Sequence, residues 1–330
     1  MARYNETDYM YGSARVRALE SGIVGADRLN RLIEADSSAQ IMAMLSELGF
    51  DAEAQDSRED VLLAALSKAY AEVDSMSDGR KLSDFLRYLY DCNNIKSIIK
   101  CHRRGVEPDG LLFYDLGTLD ADAARAAFSD KDYSAYPKNM ARAIPVAEQT
   151  LAATGKPQSV DLILDRACYA DMLEAAERTG VEYAVRLVKA KIDLTNVIIC
   201  LRVLRMKLSE AALPTLYEAM LSGGTLTEDI FVRTLSEGEG YLSERLSYTD
   251  YARIALMLEG GSFAELEKAC DDVWMELARS AKYVPFGAEV LIGYLIAVEY
   301  SVKNIRIILA SKDASLSAES IRERLRYSYV

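Results

Sequence analysis

Histidine is almost missing from this chain: His102 is the only one among 330 residues. A zinc site rich in imidazole, or a hydroxyl nucleophile activated by one, therefore has a single candidate to draw on. His102 adjoins Cys101, but neighbours on a helix project about 100° apart, so the two form no dyad and a surface histidine at a helix end is expected. Proline is scarce, with six residues. No stretch alternates like a strand between hairpin turns, which leaves the α-helix as the regular element. The five cysteines, Cys92, Cys101, Cys168, Cys200 and Cys270, contain no Cys-x-x-Cys pair. Four of them lie in helical apolar patterns and read as reduced, buried thiols of a cytosolic protein. The longest apolar run, Val290 to Val298 between Glu289 and Glu299, falls short of the about 20 residues a membrane helix needs. The first residues are polar and charged, unlike a signal peptide. Positive charge is also in deficit. A net charge of −12 repels phosphate and disfavours nucleic acid, and it suits a soluble surface or a basic protein partner.

What is present is helix-forming sequence. Half the residues are hydrophobic, enough for a substantial core, and Ala, Leu, Glu, Arg and Met are plentiful. Helical periodicity predicts elements near 9–20, 26–34, 38–48, 61–73, 82–101, 160–178, 181–207, 213–221, 227–235, 247–258, 263–283, 286–310 and from 318 towards 327. Between Tyr133 and Pro145 the pattern breaks and a loop is expected.

The segments also repeat. Asp91-Cys-Asn-Asn94-Ile, Asp193-Leu-Thr-Asn196-Val and Ser301-Val-Lys-Asn304-Ile place an asparagine before an apolar helical run, at steps of 102 and 108 residues. Leu66-Ser-Lys-Ala69, Leu164-Asp-Arg-Ala167 and Leu266-Glu-Lys-Ala269 keep the same order, at steps of 98 and 102. Gly117-Thr118-Leu119 recurs as Gly224-Thr225-Leu226, each followed by acidic residues that suit a helix start. Repetition at this period makes the chain one helical module written three times. The expected division is 1–115, 116–222 and 223–330. Asparagine is a poor helix former, and a buried amide needs partners. Asn94, Asn196 and Asn304 are therefore expected to tie their helices to neighbouring segments.

Two fragments imitate chemistry. Thr154-Gly-Lys-Pro lacks the first glycine and the final Ser or Thr of a phosphate-binding loop. Asp271-Asp272-Val-Trp-Met-Glu276 has the look of a magnesium motif of helical prenyl-diphosphate enzymes. Asp272 and Glu276 share a helix face, but no second acidic motif accompanies them, and an exposed acidic face is the better reading.

The segments Tyr9-Met-Tyr11-Gly12-Ser-Ala14-Arg15-Val-Arg17, Phe85-Leu-Arg-Tyr-Leu-Tyr-Asp91-Cys-Asn-Asn94, Val185 to Leu204, Pro285-Phe-Gly-Ala-Glu289 to Ile308, and Ile321-Arg-Glu-Arg-Leu-Arg-Tyr-Ser-Tyr329-Val resemble, in order and along the whole chain, the C subunit of V-type (A-type) ATPases, whose eukaryotic counterpart is the d subunit. The resemblance implies three similar all-α domains in a funnel around a pseudo-threefold axis. It implies a non-catalytic rotor subunit between the central stalk and the proteolipid ring, transmitting torque for proton or sodium transport, cytoplasmic and held at the membrane by its complex. It implies no catalytic residue, cofactor or metal. Gly117 and Gly224 are the candidate edges for contact with a stalk. The alternatives are a magnesium enzyme built on Asp271, Asp272 and Glu276, and a generic helical binding scaffold.

Overall fold

The computed structural model describes residues 4–50, 57–77, 79–108, 110, 112–113, 116–258 and 260–330. Every regular element among them is helical. After a 3-10 turn at Glu6–Tyr9 come α1 (Met10–Leu19), α2 (Ala26–Glu34), α3 (Ser38–Glu47) and α4 (Arg58–Ser75). These belong to one compact unit, Met1–Ser83 with Glu267–Val330. The second unit, Asp84–Leu266, holds α5 (Asp84–Arg104), α6 (Ala121–Asp130), α7 (Lys138–Thr154), α8 (Pro157–Thr179) and α9 (Glu182–Arg205). It continues with α10 (Ala212–Ala219), α11 (Glu228–Glu237), α12 (Glu239–Leu246) and α13 (Ala252–Ala255). The division falls within α14 (Phe263–Ala278), and α15 (Ala288–Asp313) and α16 (Ala318–Arg324) complete the first unit.

Local chemistry sets the helix ends. Ser37, Ser57, Asp120 and Ser317 each accept the backbone N–H three residues on and so cap α3, α4, α6 and α16. Gly155 and Gly180 close α7 and α8 in the left-handed conformation that other residues adopt at a cost. The expected loop before Pro145 is shorter than the sequence pattern suggests. Helix α7 starts at Lys138 and runs through the proline, with Met140, Ile144, Ala147 and Leu151 as its buried face. Packing along α8 outweighs the one backbone hydrogen bond a proline cannot donate. The helix expected over 247–258 is displaced: α12 precedes it and only the single turn of α13 lies within it. Thr249 explains the break, because its Oγ1 accepts the Tyr251 N–H and turns the chain there.

Helix α15 is the spine of the first unit and packs on α1, α2, α3, α4 and α16. The apolar run from Val290 lies in this core, with Val290, Leu291, Ile292, Leu295 and Ile296 buried. Its flanking carboxylates are held inside the fold, Glu289 by the Tyr4 hydroxyl at 2.8 Å and Glu299 by the Tyr70 hydroxyl at 2.6 Å. No helix among the described residues is long and apolar enough to cross a membrane. In the second unit α8 packs on α5, α7 and α9, and α9 on α10 and α11.

The two units divide the chain at 83/84 and 266/267, not at the repeat boundaries 115/116 and 222/223; Asp115 itself lies outside the described residues. The unit boundaries follow the packing of the long helices. Helix α5 lies against α6 and α8, α9 against α11, and α15 against α2 and α4.

Candidate functional site

Three buried amides, on α5, α9 and α15, make the same contact. Asn94 accepts the Phe113 N–H at 2.8 Å and donates to the Phe113 carbonyl at 3.0 Å. Asn196 does this with Leu221 at 2.8 and 2.9 Å, and Asn304 with Arg326 at 2.9 and 3.0 Å. Each side chain thus pairs with both polar groups of one non-helical residue further along the chain, before the next helix for Asn94, just past α10 for Asn196 and just past α16 for Asn304. The partner is backbone, so its side chain is free to vary: here an aromatic, an aliphatic and a cation.

One helical turn earlier, α5 and α9 carry a carboxylate. Asp91 accepts the Thr118 N–H at 3.1 Å, the Thr118 hydroxyl at 2.6 Å and the Leu119 N–H at 3.1 Å. Asp193 accepts the same set from Thr225 and Leu226, and the Tyr251 hydroxyl at 2.8 Å besides. Burial pushes the Asp91 carboxyl above the usual carboxylate range, and the Thr118 hydroxyl and the two amides pull it back. The glycines have their explanation here. A Cβ on Gly117 would collide with Asp91 Oδ1, and one on Gly224 with Asp193 Oδ1. The amides beside both glycines are spent on these carboxylates, so they are not open to a partner. Nor does Thr118 start its helix: Asp120 caps α6, and in the second copy Thr227 stands at the N-cap position of α11.

Both glycines stand four residues before a helix, α6 and α11, and Gly22 stands in the same register before α2. The segment Gly22-Ile23-Val24 escapes notice as a third copy because it lacks the Thr-Leu pair. Its facing carboxylate is missing too, since the position one turn before Asn304 is Ser301, whose hydroxyl bonds the Ala297 carbonyl in its own helix at 2.8 Å. Sequence reasoning passes over Asp91 and Asp193. The signal is the Asp-x-x-Asn spacing shared by two of the three copies.

The acidic cluster on α14 is structural, which corrects the expected exposed acidic face at Asp271 and Asp272 and leaves the magnesium alternative without free carboxylates there. Asp271 accepts from Lys303 Nζ at 2.6 Å and Arg326 Nε at 3.0 Å. Asp272, 1 % exposed, accepts the Tyr327 N–H at 2.7 Å and pairs with Lys268 at 2.8 Å. Both carboxylates anchor the last segment of the chain, and Glu276 points to solvent. Among the described residues no three His, Cys, Asp or Glu side chains gather to hold a metal. His102 is exposed on α5 with its ring edge-on to Phe128, 5.1 Å between centroids. All five cysteines are buried; Cys92 and Cys168 donate across the α5–α8 contact to the Leu164 and Tyr88 carbonyls.

Residues 13–324 match the family described as ATP synthase (C/AC39) subunit. The chain belongs to that family. The match covers nearly the whole length, including the three clamping asparagines and both carboxylates. The relatives agree along their own lengths as well. The C subunit of the V-type sodium ATPase of Enterococcus hirae is 22% identical over 95% of this chain and 97% of its own. The C subunit of the A-type ATP synthase of Haloferax volcanii is 25% identical over 96% of each, and that of Halobacterium salinarum 26% over 98% and 99%. Members of the family are subunits of the ATP synthase complex and not enzymes in their own right, which accords with carboxylates that serve the fold.

Proposed function

We propose that the chain is a rotor subunit, joining the central stalk to the membrane proteolipid ring and transmitting torque in ATP-linked proton or sodium transport. The observation that carries this is the way each repeat hands its long helix to the next. Helix α5 packs on α6 and α8 of the second repeat, and α9 on α11 of the third. Arg205 of α9 also lies over Phe263 at the start of α14, at 4.9 Å. Helix α15 packs on α2 and α4 of the first repeat, so the series runs back to its beginning. Three modules, 1–115, 116–222 and 223–330, joined in such a cycle support a pseudo-threefold funnel with a central opening. Charged pairs repeat in it: Lys96 and Arg306, each two residues after its asparagine, reach Asp165 at 2.5 Å and Glu59 on the next module's helix.

A ring of interlocked helices resists shear because no module can rotate without breaking the packing on both sides. That is what a torque coupling needs. The stalk end seats in the opening, with the loops at Gly117 and Gly224 on its edges, and the opposite face rests on the ring. The chain then stays peripheral, cytoplasmic and held at the membrane by protein partners. The test is reconstitution of the complex with and without this chain. Without it, ATP hydrolysis by the catalytic subunits should continue while ion pumping is lost. Pumping that persists without the chain would overturn the reading.

A further inference from the structure

The third copy of the carboxylate motif is incomplete, and a cavity lies where the carboxylate is missing. It has a volume of about 260 Å³ and is lined by Gly22, Ile23, Val24, Lys68, Val298 and Ser301, among others. In the other two copies the amide two residues after the glycine, Leu119 or Leu226, donates to an aspartate. Here that amide belongs to Val24, a residue 1 % exposed, and its N–H meets no acceptor among the described residues. The Ile23 N–H is taken by the Glu20 carbonyl. Lys68 lines the same cavity from α4, where its side chain is exposed, and it has no hydrogen-bond or ion-pair partner among the described residues. Glu72, one turn on, is held by Arg15 in a two-point pair at 2.9 Å. A buried unmet donor and an unpaired cation in one recess make a receptor for an anion.

We propose that this recess receives a carboxylate from an acidic segment of a partner protein, in the place that Asp91 and Asp193 fill from within in the other two copies. The carboxylate takes the Val24 N–H and the Lys68 ammonium, and an apolar side chain next to it enters the space beside Val298 and Phe50. The cavity holds one or two side chains and is smaller than common cofactor sites. Its surroundings extend the contact. Leu19 lines the cavity, and Arg15 and Tyr11 continue the same face of α1 one and two turns back. Tyr11 is 71 % exposed. A small carboxylate would leave that face unused, whereas a protein segment covers it. The choice of a protein partner rests on membership of the complex proposed above.

The test uses the full chain and N-acetyl-leucine, observed by ligand NMR, with N-acetyl-leucinamide as the neutral control. The acid should bind saturably and the amide about five-fold more weakly, the upper end of what an exposed ion pair supplies. Lys68→Met should bring the acid down to the amide's level. Ser301→Asp should supply the carboxylate internally and abolish acid binding. Equal binding of acid and amide to the unaltered chain, which needs no variant, or no saturable binding at all, overturns the proposal. So does undiminished binding to a folded Ser301→Asp chain. In the assembled ATPase, a photoreactive phenylalanine derivative in place of Lys68 should cross-link to an acidic segment of another subunit. A complex that contains the chain and gives no cross-link overturns the protein source. A chain that enters no complex overturns the rotor reading instead, and the acid–amide comparison still decides the recess.

Discussion

At the scale of single residues, the fold depends on a few polar side chains that satisfy backbone far along the chain. Truncating Asn196 leaves a buried N–H and carbonyl of Leu221 without partners. Each such group costs about 1–3 kcal/mol, so Asn196→Ala should destabilise by about 2–4 kcal/mol, read from the denaturant midpoint of the second unit's transition. A change below half a kcal/mol would mean that the clamp is not holding the segment. Gly224 is tied to Asp193 by space rather than by a bond. Gly224→Ala should cost about 2 kcal/mol in the unaltered chain and clearly less once Asp193→Ala has emptied the space the methyl needs. Equal costs in both backgrounds would show that the glycine answers to something other than the carboxylate.

At the scale of elements, Pro145 gives a direct measure of packing against propensity. A proline inside a helix costs about 3 kcal/mol relative to alanine, partly offset by the stiffer unfolded chain. Pro145→Ala should therefore raise stability by about 2 kcal/mol, and a lowered melting temperature would contradict it. The same residue shows what the sequence conceals. Helices α2, α4, α8 and α15 are legible to within a few residues. Helix α7 is not, because its proline and its small buried residues, such as Ala147, weaken the pattern that packing on α8 rescues. Helix α12 is missed because Gly238 and Gly240 read as breakers, although Tyr241, Leu242 and Leu246 bury its face. The amides stand out by spacing. Their partners do not, since a clamp on backbone leaves no mark in residue type. The recess at Ser301 is invisible for the opposite reason: its signature is an aspartate that is not there, and only the two complete copies give that absence meaning.

At the scale of the whole molecule, charge and apolar surface decide how the chain meets a membrane. Its most apolar run is sealed inside α15's packing, and the glutamates that bound it are bonded to tyrosines within the same unit. Large apolar side chains do reach the surface, Tyr248 at 87 %, Leu256 at 86 % and Tyr283 at 86 % exposed. They are few. An interfacial anchor of a peripheral protein needs a broad apolar face flanked by cations that attract anionic lipid, at about 1 kcal/mol for each lysine or arginine near the surface. A net charge of −12 acts against that attraction. The purified chain should therefore stay in the supernatant when sedimented with protein-free vesicles containing a third anionic lipid at physiological salt. It should sediment with vesicles that carry the remaining ATPase subunits. Binding to the bare vesicles that weakens steeply with salt would reveal a basic face strong enough to override the net charge, and the chain would then be a membrane-binding protein in its own right. Binding only to the loaded vesicles, unchanged as anionic lipid is replaced by neutral lipid, would place the whole attachment on protein contacts. The rotor role proposed above requires that second outcome, because adhesion to the bilayer would oppose rotation over the lipid surface.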